Sequence, residues 1–114
     1  MIWYKKLYTG EAAKKRRFSI IQKLRSGAAS ASVYVVVPAA NSRNLLDIYS
    51  APNFYLREKQ KPQLILGIAW GYPDALNLAG KMVDELYRAT GGFDFWAYLG
   101  LGEYDFDENS DVVE

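Results

Sequence analysis

The sequence predicts an α+β fold of the ferredoxin-like split β-α-β-β-α-β kind, a four-stranded antiparallel sheet with two helices on one face. Three observations point to it. Twice along the chain a strand-like segment leads into a helical one and then into another strand-like run. Each helical segment carries one apolar stripe, and a shared sheet face buries both. The chain has 114 residues, 50% of them hydrophobic, enough for one core and too few for a second.

Residues 2–8 (IWYKKLY) are short, aromatic and β-prone, and Thr9-Gly10 closes them, which predicts a first strand. Thr9 is placed to cap the helix that follows, with Glu11 in its first turn. Across residues 11–25, Phe18, Ile20, Ile21 and Leu24 recur at helical spacing and Lys14, Lys15, Arg16, Lys23 and Arg25 fall largely on other faces. Ser26-Gly27 ends this amphipathic helix. Residues 32–37 (SVYVVV), bounded by small residues and Pro38, read as a second strand. Residues 41–61 are less regular and read as a short helix or an irregular excursion.

Residues 64–70 (LILGIAW) form a third strand, apolar on both alternating sets, and Gly71-Tyr72-Pro73-Asp74 opens a helix with proline in its permitted first turn. Ala75, Ala79, Met82, Val83 and Leu86 make its stripe, and Gly91-Gly92 stops it. Residues 93–99 (FDFWAYL) are expected as the fourth strand, with Asp94 facing outward. The domain then covers residues 1–100, and residues 101–114 read as an acidic, flexible tail. In this topology the first and third strands are central, so Lys5 and Lys6 must escape at the strand end. The second strand is an edge, apolar on both faces, and needs a cover: the 41–61 excursion or a second copy of the chain.

The run Gly-Ile-Ala-x-Gly-Tyr-x-Asp-Ala-Leu at residues 67–76, followed by Tyr87-Arg88-x-Thr90-Gly91-Gly92-Phe93-Asp94, resembles small uncharacterised bacterial proteins over about two-thirds of this chain, mostly residues 33–98. The resemblance implies no activity.

The chain has no cysteine and no histidine. Thiol nucleophiles, disulfides and cysteine-based metal sites are therefore excluded, and the commonest general base and transition-metal ligand is missing. No apolar run reaches the length of a membrane span, and the opening residues lack the order of a secretory signal, so a cytoplasmic protein without membrane contact is expected. Net charge is +1 but unevenly spread. Residues 1–25 hold Lys5, Lys6, Lys14, Lys15, Arg16, Arg17, Lys23 and Arg25 against Glu11, whereas beyond residue 100 Glu103, Asp105, Asp107, Glu108, Asp111 and Glu114 stand without a cation. Such asymmetry implies an electrostatic partner or an internal pairing.

Lys6, Lys14, Lys15, Arg16, Lys23 and Arg25 are the candidate polyanion-binding residues, since clustered cations supply the sequence-independent part of nucleic-acid binding. Tyr4 and Tyr8, flanking Lys6 on one strand face, are the candidate base-stacking residues. Against that, a solvated helix face is ordinarily charged, and the third strand lacks the aromatics of an RNA-recognition sheet. The tail spaces Glu103, Asp105, Asp107, Asn109, Asp111 and Glu114 like a calcium loop, but Glu108 stands where the turn needs glycine, so no metal site is expected. Thr9-Gly10-Glu11 before Lys14 has the look of a phosphate seat but lacks the glycine-rich loop, which makes helix capping the better account. Asp74, Asp84, Glu85 and Asp94 form no catalytic constellation. The expected function is a non-catalytic binding protein without cofactor that recognises a protein partner or itself; nucleic-acid binding through the basic helix is the alternative.

Overall fold

The computed structural model describes residues 1–39 and 45–101. In chain order it holds β1 (Ile2–Thr9), a 3₁₀ helix (Glu11–Arg16), α1 (Arg17–Ser26), β2 (Val33–Pro38), β3 (Leu46–Ser50), α2 (Ala51–Gln60), β4 (Leu64–Trp70), α3 (Tyr72–Thr90) and α4 (Phe95–Leu99). The α+β class is as expected. The sheet is four-stranded in the order β1-β4-β2-β3. It is mixed: β1 runs parallel to β4, and β2 is antiparallel to both β4 and β3.

This corrects the antiparallel ferredoxin-like sheet with both helices on one face. Helices cover both faces. On one side Trp3, Val33, Val35, Val37, Ile65 and Ile68 pack with Ala13, Ile20 and Leu24 of the first helical segment and with Ala51 and Phe54 of α2. On the other, Ile2, Tyr4, Val36, Leu64 and Leu66 pack with Leu78, Met82 and Leu86 of α3, Phe95 of α4 and Leu101. The physical reason lies in the strands themselves. β4 is buried from Leu64 to Ala69 without alternation, and a strand apolar on both sides needs cover on both sides.

Two element assignments exchange places. Within the 41–61 excursion, Leu46–Ser50 is a strand and Ala51–Gln60 a helix. β3 pairs along all of β2, from Tyr34 opposite Ser50 to Pro38 opposite Leu46, so the edge that needed a cover has one from the same chain. β3 and β4 are both antiparallel to β2, hence parallel to each other, and α2 is the crossover that such a pair requires. Conversely, residues 93–99 are not a strand. Asp94 Oδ1 accepts the Ala97 N–H at 3.1 Å as an N-cap, and Gly100 takes a left-handed φ of 67° as the C-cap, so capping outweighs the apparent alternation. Leu101 is fully buried in the core on the α3 side.

β1 is an edge strand, not a central one. Between the pairs Trp3–Ile65 and Tyr8–Gly67 it carries Tyr4 to Leu7 where β4 has Leu66 alone, and this irregular run leaves Lys5 and Lys6 exposed. Among the described residues no helix is long and apolar enough to cross a membrane.

Candidate functional site

The helical layer over one sheet face concentrates positive charge. Its 3₁₀ helix, α1 and α2 contain Lys14, Lys15, Arg16, Arg17, Lys23, Arg25, Arg57 and Lys59 against Glu11 and Glu58, and Lys61 follows directly. α3 and α4 on the opposite face contain Lys81 and Arg88 against Asp74, Asp84 and Glu85. The sequence pointed only to the first helix. That α2 adds its cations to the same layer follows from the crossover, which no local signal announces. Tyr55 joins the two helices: its hydroxyl approaches the carbonyls of Lys23 and Leu24 at 3.3 Å and accepts the Ala29 N–H at 3.1 Å.

The members of the basic set differ in their surroundings. Lys14 bonds Glu11 at 2.9 Å, which holds the Glu11 carboxyl below its ordinary value. Arg16 lies over the Trp70 ring at 4.4 Å and Arg57 over the Tyr49 ring at 5.1 Å, both within cation–π range. Arg17 Nε donates to Thr9 Oγ1 at 3.2 Å. Lys23 and Arg25 are exposed near the end of α1. Among these cations Phe18 stands 76% exposed and Leu56 of α2 60% exposed.

Lys6, Tyr4 and Tyr8 are not brought together with the basic helix. They face the α3 side of the sheet, where they line a shallow hollow of about 430 Å³ with Glu85, Tyr98 and Leu99. Tyr4 is buried and stacks on Tyr8 with ring centroids 6.2 Å apart and planes 8° from parallel. Tyr8 donates its hydroxyl to Glu85 Oε2 at 2.5 Å, and Tyr98 donates to the same oxygen at 3.4 Å. Burial, reinforced by the Glu85 carboxylate, pushes the Tyr8 phenol well above its ordinary range. The two tyrosines thus stack on each other, which takes one ring face of each.

The phosphate-like turn is also occupied, by the protein itself. Thr9 is not the cap; Gly10 is, without a side-chain bond. Asp74 supplies the acceptor from across the fold: Oδ1 takes the Ala12 N–H at 3.2 Å and Oδ2 the Trp70 N–H at 3.0 Å. Its carboxylate stands where an anion would sit. Asp84 bonds Arg88 at 2.9 Å along α3. Among the described residues no cluster of acidic side chains is arranged to hold a metal ion. The calcium-like pattern of Glu103 to Glu114 lies outside the described residues. No protein family, curated protein or solved structure matches this chain.

Proposed function

We propose that this chain is a non-catalytic binding protein that recognises an acidic protein segment through the layer of the 3₁₀ helix, α1 and α2. The observation that carries the reading is the exposure of Phe18 and Leu56 in a layer whose exposed charged residues, Glu11 apart, are all cationic. Interfaces between proteins place aromatic and aliphatic anchors at their centre and charge at their rim. A segment with leucine or aromatic residues among carboxylates meets both demands. Complementary charge supplies encounter rate and orientation, and the apolar anchors supply residence time.

Nucleic acid is the second reading, favoured by the cations of α2 that enlarge the polyanion-facing surface beyond Lys14, Lys15, Arg16, Lys23 and Arg25. Fluorescence anisotropy separates the two. The probes are a labelled peptide of alternating glutamate and leucine and a single-stranded oligonucleotide, each titrated with the full chain. Protein recognition predicts that the peptide binds and that Phe18→Ala with Leu56→Ala weakens it by about tenfold or more, as expected for two interface anchors. Nucleic-acid recognition predicts tighter oligonucleotide binding with a steep salt slope, lost on reversing Lys14, Lys15, Lys23 and Arg25 and unmoved by the apolar changes. A native pull-down with and without nuclease gives the cellular counterpart: a partner that survives nuclease supports the protein reading.

A further inference from the structure

We propose that the outer edge of β3 is a homodimer contact, at which two copies of the chain pair their β3 strands antiparallel about Ile48 and join two four-stranded sheets into one. The edge adjoins the basic helical layer at Arg57 alone, and the inference stands whether or not that layer binds an acidic segment.

The two edges of the sheet are built differently. β1 presents an irregular run with Lys5 and Lys6 exposed, the charge and irregular pairing that discourage strand addition. β3 has β2 on one side and, among the described residues, no strand on the other. Its Leu-Asp-Ile-Tyr-Ser sequence pairs residue for residue with β2 and contains no lysine, proline or glycine. It is a regularly paired edge whose one charged residue is Asp47.

The surface beside this edge is apolar. Tyr72, Leu76, Ala79, Val83 and Tyr87 form a second stripe on α3, offset from the buried one of Ala75, Leu78, Met82 and Leu86. Its side toward β1 carries Asn77, Lys81, Asp84 and Glu85, which with Leu76 and Leu78 line a cleft shared with Tyr8 to Glu11. Val83 packs against the same core as Leu46 and Ile48, and the Tyr72 ring meets Tyr34, which is paired with Ser50 at the end of β3. Tyr72 and Tyr87 remain 51% and 52% exposed along this stripe, the Tyr87 ring stacked on Phe93, and Leu76, 48% exposed, reaches the cleft toward β1 as well. Strand addition at β3 brings further apolar surface against this stripe.

The register argues for a second copy as the occupant. Pairing about Ile48 sets Ile48 against Ile48, Leu46 against Ser50 and Asp47 against Tyr49 of the other copy. Leu46 and Ile48 then continue the apolar α3 face across the junction. On the opposite face each Asp47 meets a Tyr49 that lies under Arg57, so its carboxylate approaches a cation. A shift of two residues in one direction sets Asp47 against Asp47, a like-charge pair; the opposite shift loses the Asp47–Tyr49 match. An odd shift turns the apolar face of one copy toward the polar face of the other.

The chain contains no cysteine, so single-cysteine variants report the geometry directly. Sedimentation of the full chain at high micromolar concentration is expected to give a dimer. Under mild oxidation Ile48→Cys cross-links to itself, Asp47→Cys does not, and Asp47→Cys mixed with Tyr49→Cys does. Ile48→Glu, which places like charges on the axis, weakens dimerisation about tenfold or more, and circular dichroism of the variant verifies that it is folded. The proposal is overturned by a monomer at that concentration, by a dimer that Ile48→Cys fails to cross-link, or by a dimer that forms only after residues 102–114 are removed.

Discussion

The carboxylate of Asp74, in the first turn of α3, presses against the backbone of Gly10 at the end of β1, so closely that a Cβ at position 10 would stand 2.2 Å from Oδ2. Two elements far apart in sequence are thereby locked. The carboxylate accepts the Ala12 and Trp70 N–H groups and satisfies one orphan donor of the 3₁₀ helix. Gly10→Ala is expected to destabilise by roughly 1–3 kcal/mol through overpacking. Asp74→Ala is expected to lose about 2–4 kcal/mol by leaving two backbone donors without their acceptor. The two changes share one cause, so the double variant loses less than their sum. Urea unfolding of all four proteins measures the cycle, and strict additivity would contradict the lock.

A second close approach holds α3 on the sheet. At Gly67 a Cβ would meet Leu78 Cδ2 at 2.9 Å and the Tyr8 Cβ and carbonyl at 3.3 Å. Gly67→Ala therefore pushes on both the helix and β1, with an expected loss of roughly 1–3 kcal/mol. Leu78→Val in that background frees the helix-side contact and recovers part of the loss. Thermal denaturation tests this: no recovery would place the strain at the Tyr8 backbone instead.

Tyr8 gives stability a dependence on alkaline pH. Its phenol is held above the ordinary value of 10.0, by burial first and by the Glu85 hydrogen bond second. The folded chain keeps the phenolic proton more tightly than the unfolded chain does. Its contribution is complete below the unfolded value and is lost as pH rises above it toward the folded one. Tyr8→Phe is expected to flatten the fall in melting temperature above pH 10, even if it melts lower at neutral pH. Parallel curves for the two proteins would show that Tyr8 does not set this slope.

Residues 102–114 carry six carboxylates and no cation, so their removal moves net charge from +1 to +7. The truncated chain is expected to bind the acidic peptide or an oligonucleotide more tightly at low salt. The gain should shrink as added salt shortens the Debye length. Anisotropy at two ionic strengths reads the difference, and equal affinity of the two chains at low salt would remove the expectation.

Local chemistry made much of the fold legible. β1, β2, β4, α1 and α3 follow from runs such as VYVVV and LILGIAW, from the stripe Ala75–Met82–Leu86, and from Gly27 and Gly91 as stops. These signals act within a few residues, where side-chain spacing and backbone preference decide. The segment 93–99 misled because an alternating aromatic run satisfies a strand template, while the Asp94 cap and Gly100 stop are equally local and win. The basic residues of the candidate surface were visible one helix at a time, but the partner cations of α2 were not. Tyr4 and Tyr8 were grouped with them because sequence distance does not tell which face of a sheet a helix will cover.

The sequence by itself determined an α+β class, a basic first helix, an acidic end and two strands, VYVVV and LILGIAW, that are apolar on both faces. Tertiary structure decided the rest: β4 inserts between β1 and β2, β3 takes the edge, α2 joins α1 on one face, and Asp74 reaches Gly10. Each depends on contacts between segments tens of residues apart. Their free energy comes from burying both faces of β4 and β2 together, and no short stretch of the chain contains both partners.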